Sequence, residues 1–338
     1  MKQGLNGNLL MELQTNKPVI TNPISNIPLN EKSHTRGWSM LWKEQLNVDI
    51  DHKCSPSLAN NQLVYIDHGA NFGGTLNLFG GATKEVFDRI NRIISCKNIV
   101  SLDWDMPDYG EMLFKRIKAK TTYAGITEQW CHALSGRLAN VPALKQEELS
   151  YDDIILGDSH TIAFSNRNTR VLRNDGKTLY GALKAGLPSL LRGASVSGRI
   201  TLCFGSIDIR HHLLRRSPTD LDGLLDEYVS KGNALGKDVW YCTPVPVEYE
   251  GRRIPQSGYF KKEPFYGSWE DRRNLTNKFI EGLYKRTNNV VQPPKEWYTM
   301  DSEKYANTFM EYGGSFHIAP SYYNRNDWGR PDLLERFM

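Results

Sequence analysis

Residues 151–164, YDDIILGDSHTIAF, carry an apolar run that ends in Gly-Asp-Ser-His. The run is typical of a buried strand, so Asp158, Ser159 and His160 fall on the turn at its carboxyl end. A tight turn there exposes the hydroxyl of Ser159 and directs backbone N–H groups toward the group that the hydroxyl contacts. This is the placement of a nucleophile at the edge of a sheet, close to donors that stabilise an oxyanion.

Further groups suited to the same chemistry follow a second strand and lie near the C-terminus. The run GRITLCFGSIDIRHH predicts a strand ending at Gly205, which puts Asp208, Arg210 and His211 on a neighbouring loop. The stretch GGSFHIAPSYY puts His317 in a loop after the last predicted helix. Histidine is the most frequent proton acceptor in such sites, so His317 is the candidate base.

The order of these blocks resembles the SGNH (GDSL) hydrolase superfamily over about residues 150–325. Its first block is matched by Gly157-Asp158-Ser159, its second by Gly176 or Gly181, its third by FGSID and its fifth by His317. More narrowly, GDSHT followed by FGSIDIRHHL is similar to a subgroup whose third block reads Phe-Gly-x-Ile-Asp-x-Arg. The resemblance implies a flavodoxin-like, three-layer α/β/α parallel sheet, with Ser159 as nucleophile and His317 as base. It also implies that the amides of Ser159 and of Gly176 or Gly181 hold the oxyanion.

Two positions depart from the superfamily pattern. Ile207 stands where the superfamily has the asparagine of its oxyanion hole, and isoleucine has no side-chain donor. Arg210 or a backbone amide is the candidate replacement. The residue three before His317 is Gly314 instead of an acid, which leaves Asp208 and Asp301 as candidates to orient the histidine.

The candidate site in this half of the chain has two groups of residues. The catalytic group is Ser159, His317, Asp208 and Asp158. The oxyanion- or substrate-binding group is Gly176, Gly181, Gly205, Arg210, His160 and His211.

In the N-terminal half, acids and a histidine also follow predicted strands. QLVYIDHG puts Asp67 and His68 at a strand end, and SLDWDMPDYG puts Asp103 after another. Between them, the glycine-rich run NFGGTLNLFGG matches neither the dinucleotide nor the Walker pattern, which favours an ordinary turn. Acids at a strand end suit a metal ion or a substrate hydroxyl, and they are also common in solvated loops. Asp67, His68 and Asp103 are the N-terminal candidates, and no family resemblance covers residues 1–145.

The elements that position these residues alternate between strand and helix. Strands are predicted at DDIILGD, GRITLCFGSID and DVWYCTPVPV, and helices at GKTLYGALKAG, TDLDGLLDEYVSKGNALG and SWEDRRNLTNKFIEGLYKRTNN. The alternation predicts an α/β fold in which a parallel sheet is covered on both faces. Residues 1–60 have weak periodicity and predict an N-terminal extension, residues 61–145 a small α/β region, and residues 146–338 the SGNH-like domain.

Composition disfavours several classes of protein, among them disulfide-rich, zinc-thiolate and membrane proteins. A chain of 338 residues with 39% apolar residues is long enough for one large domain or two smaller ones. Five cysteines without a C-x-x-C pair favour neither disulfides nor a thiolate zinc site, and Cys203 and Cys242 lie in strand runs as small apolar residues. The net charge of +4 comes with no Lys/Arg block, so nucleic-acid binding is not signalled. No window has the apolar length of a membrane span and the N-terminus has no signal-peptide core, which predicts a cytoplasmic protein without a membrane partner.

Three functional hypotheses follow from these residues. The first is a serine esterase or acyltransferase acting on a small-molecule or carbohydrate ester, with no cofactor and no metal. The second is a metal-dependent phosphoesterase, which uses the strand-end residues Asp67, His68, Asp103, Asp158, His160, Asp208, His211 and His317. The third is a non-hydrolytic protein that binds or modifies a sugar, a nucleotide or a nucleic acid, which the departures at Ile207 and Gly314 favour.

Overall fold

The structure of the chain is a computed structural model, and it divides into two compact units, Met1–Leu149 and Ser150–Met338. The residues that it describes are 18–21, 41–43, 45–51, 54–61, 63–67, 88, 91–93, 95–103, 143–145, 149–166, 168–195, 197–215, 220–236, 238–247, 266–299, 309–310, 317–319 and 322.

The first unit is built on a five-stranded parallel sheet in the order β2-β1-β3-β4-β5. Its strands are β1 (Val19–Thr21), β2 (Asp49–Ile50), β3 (Val64–Asp67), β4 (Ile99–Asp103) and β5 (Ala143–Lys145), and a 3₁₀-helix spans Pro56–Asn60. The extension predicted for residues 1–60 contributes β1 and β2 to this sheet. Short strands of two or three residues carry almost no periodicity, which is why the pattern did not indicate them.

The second unit has its own five-stranded parallel sheet, in the order β10-β9-β8-β6-β7. Its strands are β6 (Asp153–Gly157), β7 (Thr169–Arg173), β8 (Ile200–Cys203), β9 (Val239–Cys242) and β10 (Val290–Val291). Numbered within the unit, the order is that of flavodoxin-like sheets. The predicted α/β fold is therefore confirmed, and the predicted strands after residue 152 are β6, β8 and β9.

Seven helices of the second unit lie within the described residues. They are α1 (Thr161–Phe164), α2 (Leu179–Ala185), α3 (Leu187–Leu190), α4 (Ser206–His211), α5 (Asp220–Asn233), α6 (Trp269–Tyr284) and α7 (Glu296–Thr299). The start of α6 is held by a capping box, in which the Ser268 side chain and the Asp271 side chain each accept the other's backbone N–H. The α4 helix corrects the sequence prediction, which placed Asp208, Arg210 and His211 on a loop.

The core of the second unit forms around the central strands. Leu156 and Leu202 are fully buried on β6 and β8, and Phe279 of α6 packs into the same cluster. Tyr228 and Tyr241 meet edge-on with ring centroids 5.1 Å apart. Continuous burial along β6 and β8 is what a parallel sheet requires, and it makes these strands a rigid base for the turns that follow them.

The strand order places a switch point at β6. Its two neighbours are β7 and β8, so the connections leave in opposite directions and a crevice opens at the carboxyl ends. Ser159 follows β6 and Gly205 follows β8, so both strand ends border that crevice. Among the described residues, no helix has the length and apolarity needed to cross a membrane.

Candidate active site

The turn after β6 is fixed by contact with β8. A side chain at Gly157 would overlap the backbone carbonyl of Cys203, so only glycine allows the two strands to approach this closely. The Asp158 N–H donates to the same carbonyl at 3.0 Å, and the Asp158 carbonyl accepts from the N–H of Thr161 at 3.3 Å. The chain thus passes from strand to helix within three residues, and Ser159 lies half-buried on the bend.

The Ser159 hydroxyl and the His317 ring meet, although the two residues are 158 positions apart. The distance between Ser159 Oγ and His317 Nε2 is 3.0 Å, which is hydrogen-bonding distance. Both side chains are half-buried, so they retain a path to solvent. A hydroxyl bonded to an imidazole nitrogen is the arrangement in which a histidine takes the proton of an attacking serine.

The short segment that carries His317 is held by backbone pairing and by aromatic packing. Met310 and Ile318 form an antiparallel bridge, and the Ala319 N–H donates to the Phe309 carbonyl at 2.9 Å. The Trp297 ring of α7 stacks on Phe309 with centroids 4.5 Å apart. Tyr322 packs edge-on against both, with centroid distances of 5.7 Å to Trp297 and 5.2 Å to Phe309. This cluster ties the histidine segment to α7.

The candidate oxyanion donors fall into two groups. The Gly181 N–H donates to the Thr178 hydroxyl at 2.9 Å as part of the α2 cap, and the oxyanion role of Gly181 stays a prediction. The amides of Ser159, Gly176 and Gly205 take part in no hydrogen bond within the described residues, and their oxyanion role stays a prediction. Ile207, the position of the missing asparagine, lies in the first turn of α4.

Asp208 has a structural partner that the sequence did not indicate. Its carboxylate accepts the backbone N–H groups of Leu179 at 2.6 Å and Tyr180 at 3.3 Å, the first two residues of α2. A carboxylate at a helix N-terminus satisfies orphan donors there and favours the helix dipole. Asp208 is therefore the side chain that joins α4 to α2, and Asp301, the other candidate acid, lies outside the described residues.

Asp158 is buried directly beside the nucleophile. It is 1% exposed, one carboxyl oxygen accepts the His160 N–H at 2.9 Å, and the other has no hydrogen-bond partner among the described residues. Burial raises the pKa of Asp158 to about 7, and the His160 N–H and the Arg210 charge offset only part of that rise. At neutral pH this carboxyl group is therefore divided between its protonated and ionised forms.

Arg210 and His160 form a buried pair. Arg210 Nη1 lies 2.9 Å from His160 Nε2, and the two residues are 3% and 2% exposed. Burial lowers the pKa of Arg210 to about 10, so the guanidinium keeps its charge at neutral pH. The substrate-binding role of Arg210 and His160 stays a prediction, and the structure shows that the two side chains contact each other inside the protein. His211 lies half-buried at the end of α4.

Neither a protein-family model nor a curated protein sequence matches this chain. Its function has to be inferred from the geometry of the Ser159–His317 pair and its surroundings.

The N-terminal candidates lie at neighbouring strand ends of the first unit. Asp67 ends β3, Asp103 ends β4, and the two strands pair in parallel with Asp67 opposite Leu102. His68 lies outside the described residues. Across the described ranges, no three His, Cys, Asp or Glu side chains are grouped as metal ligands would be.

Cys203 and Cys242 are buried on β8 and β9 and form no disulfide, which fits the apolar role predicted for these two residues. Cys54 and Cys96 of the first unit are also buried outside any disulfide. What the sequence did not indicate is the set of tertiary contacts around the site: the Arg210–His160 bond, the Asp208 cap and the Trp297 cluster. The pattern Gly-Asp-Ser-His followed by Ile-Asp-Ile-Arg-His identified these residues as candidates, but it did not indicate which side chains contact each other.

Proposed function

We propose that this protein is an SGNH-like serine hydrolase that cleaves an O-acyl ester bond. The observation that carries the proposal is the 3.0 Å contact between Ser159 Oγ and His317 Nε2 at the switch point of a flavodoxin-like sheet. A free hydroxyl at such a place would be a weak nucleophile, and a bonded imidazole is the group that activates it.

The reaction has two steps. Ser159 Oγ attacks the ester carbonyl while its proton passes to His317 Nε2, and the tetrahedral oxyanion accepts backbone N–H donors, for which the amides of Ser159, Gly176 and Gly205 are the candidates. His317 then returns the proton to the departing alkoxide, which leaves as an alcohol, and Ser159 holds the acyl group as an ester. Water attacks that ester in the second step, gives its proton to His317, and releases the carboxylic acid when Ser159 recovers the proton. An alcohol or sugar hydroxyl in place of water makes the same site an acyltransferase.

Two features support a slow enzyme. Ile207 supplies no side-chain donor, and loss of one oxyanion donor costs roughly 100- to 1000-fold in rate. Asp208 accepts the first two N–H groups of α2, which leaves less of its hydrogen-bonding capacity for orienting a histidine. Hydrolysis is still expected, because in serine hydrolases the nucleophile and the base account for most of the rate that the catalytic residues supply.

A fluorophosphonate probe tests the proposal. The probe should phosphonylate Ser159, and mass spectrometry should find the adduct on the peptide that contains Gly157-Asp158-Ser159. The Ser159→Ala variant should stay unlabelled, and His317→Gln should label at least about a thousandfold more slowly. Ser189→Ala, which removes an exposed hydroxyl on α3, is the matched control and should label like the native protein. Labelling that persists in Ser159→Ala, or a native protein that never labels, would contradict the proposal.

Assays with acetyl esters then show whether the acyl group passes to water or to a sugar hydroxyl. Release of acetate from a p-nitrophenyl ester and from O-acetylated sugars should require both Ser159 and His317. Addition of a sugar alcohol should divert the acyl group if the enzyme is a transferase, and the ratio of acetate to acylated sugar measures this.

A further inference from the structure

A cleft opens between the first half of α6 and the short helix α7. Trp269, Arg273 and Asn277 line it from α6, at spacings of four residues that put them on one face of the helix. Trp297 lines it from α7, and Pro246 lines it from the segment after β9. The four side chains from the helices are half-buried, so they remain accessible to a ligand from solvent.

The cleft lies at the same edge of the sheet as Ser159. All strands of the second unit are parallel, α6 precedes β10 and α7 follows it, so the start of α6 and the whole of α7 lie at the carboxyl edge. The Trp297 ring stacks on Phe309, and the Phe309 carbonyl accepts the Ala319 N–H two residues after His317. The cleft therefore borders the segment that carries the proposed base.

Asn277 indicates the kind of ligand that the cleft would take. Its side-chain amide is half-buried in the lining, and no hydrogen bond of that amide is found within the described part of the chain. A hydrocarbon ligand would cover the amide without offering it a hydrogen bond, which is unfavourable. The ligand should therefore carry both hydrogen-bond donors and acceptors.

The groups beside Asn277 combine apolar ring surface with a second planar polar group. Trp269 and Trp297 supply indole rings. The Arg273 guanidinium lies 5.3 Å from the centroid of the Trp269 ring, and its Nε donates to the Tyr298 carbonyl at 3.2 Å. A small inorganic anion would make no use of the indoles. A sugar ring matches both features, because its C–H face packs on an indole and its hydroxyls exchange hydrogen bonds with amide and guanidinium groups.

The size of the cleft fits one ring. Its enclosed part is about 20 Å³, little more than one water molecule needs, so a ligand lies across the mouth of the cleft and is not enclosed by it. A single ring bound in this way is expected to have a dissociation constant of roughly millimolar order.

We propose that this cleft is a sugar-binding site, and that it holds the pyranose ring of an O-acylated sugar whose ester bond is presented to Ser159. The role in ester recognition rests on the proposed serine-hydrolase function, and the binding of a sugar does not. Asn277, Trp269 and Trp297 are then the residues that select the alcohol portion of the ester.

NMR titration of the native protein tests the binding site. The probes are methyl glucoside, methyl galactoside, methyl mannoside and N-acetylglucosamine, followed in a proton–nitrogen correlation spectrum. At least one probe should shift the indole N–H signals of Trp269 and Trp297 to saturation and leave the signal of Trp240, which bonds Asp238, unchanged. The signals are assigned by their loss in the three Trp→Phe variants.

The variant Asn277→Ala tests the amide within that site. Its dissociation constant for the pyranoside that binds should rise about tenfold, because the hydrogen bonds with the amide are lost. Lys278→Ala, an exposed change at the next position of α6, is the matched control and should bind with native affinity. Benzoate and inorganic phosphate are titrated in the same way. Binding of either one, with no pyranoside shifting the indole signals, overturns the inference.

Kinetics test the role in ester recognition. The substrates are a monoacetyl ester of the pyranoside that binds and p-nitrophenyl acetate, which has no sugar. In Asn277→Ala the ratio of kcat/KM for the sugar ester to that for p-nitrophenyl acetate should fall about tenfold, mainly through KM, and in Lys278→Ala it should stay native. An equal loss on both esters would show that the cleft does not select the sugar ester.

The outcomes separate this inference from the proposed function. A protein that is labelled by the fluorophosphonate, but whose indole signals are shifted by no pyranoside, overturns the sugar site alone. A protein that binds a pyranoside at these indoles, but is never labelled, overturns the hydrolase and keeps the sugar site.

Discussion

The variant Asp158→Asn should gain stability relative to the native protein as the pH rises. Asp158 is 1% exposed, and its pKa is raised from 3.8 to about 7, mainly by burial. Asparagine keeps the oxygen that accepts the His160 N–H, has almost the same shape, and never ionises. The substitution therefore removes the cost of ionising a buried carboxyl group and little else.

The magnitude follows from linkage. The pKa of Asp158 is higher in the folded protein than in the unfolded chain. The native protein therefore has its full stability at a pH below the unfolded pKa, and its free energy of unfolding falls as the pH rises to the folded pKa. The difference is about 3 pH units, and each unit corresponds to about 1.4 kcal/mol, so the loss is about 4 kcal/mol. The free energy of unfolding of Asp158→Asn minus that of the native protein should increase by about 4 kcal/mol between about pH 4 and pH 8.

Urea unfolding, followed by tryptophan fluorescence at several pH values, measures this difference. All other titrating groups are common to the two proteins and cancel in the comparison. Asp152→Asn, an exposed change just before the same strand, is the control and should follow the native protein at every pH. The prediction is refuted if the difference in free energy of unfolding between variant and native protein stays constant within about 1 kcal/mol from about pH 4 to about pH 8. Such a result would mean that Asp158 does not titrate where its burial requires.

Two further predictions test the packing around the site. Trp297→Ala removes the ring that stacks on Phe309, so the segment carrying His317 should loosen and fluorophosphonate labelling of Ser159 should fall by about tenfold or more; an unchanged rate in a folded variant would show that the stack does not hold the base. Gly205→Ala should cost about 2–4 kcal/mol of stability, because φ is +109° and the new methyl would lie 2.7 Å from the Phe279 ring. Gly176→Ala, with φ at +72° and open space around it, should cost only about 1 kcal/mol, and equal costs in thermal unfolding would contradict the steric argument.

Much of the second unit could be predicted because its signals are local. The apolar runs of β6, β8 and β9 stand between turn residues, and the apolar spacing of α5 and α6 extends over several turns of helix. The edge strands β7 and β10 were not predicted, and neither were β1 and β2 of the first unit. Each of these strands depends on backbone pairing with a neighbouring strand, and such pairing leaves little trace in composition.

In the candidate site, too, the sequence indicated residues from local patterns and did not indicate their tertiary contacts. Gly-Asp-Ser after an apolar run indicated where a nucleophile would stand, and His317 was identified through the order of blocks. The loop predicted after β8 is instead α4, whose helical turn directs Arg210 to His160 and Asp208 to the start of α2. A one-residue difference in register along α4 would turn those side chains by about 100°, and the run of letters does not show this.

Taken by itself, the sequence determined the alternation of strands and helices, the tight bend after β6 and the types of residue placed on it, because each depends on neighbours within a few positions. The tertiary structure alone decided that an imidazole from the C-terminal region lies 3.0 Å from the Ser159 hydroxyl, and that a buried arginine lies 2.9 Å from the ring of His160. Those contacts form only when the sheet has assembled and the distant segments have packed on it, since their energy depends on distances in space and not on separation along the chain.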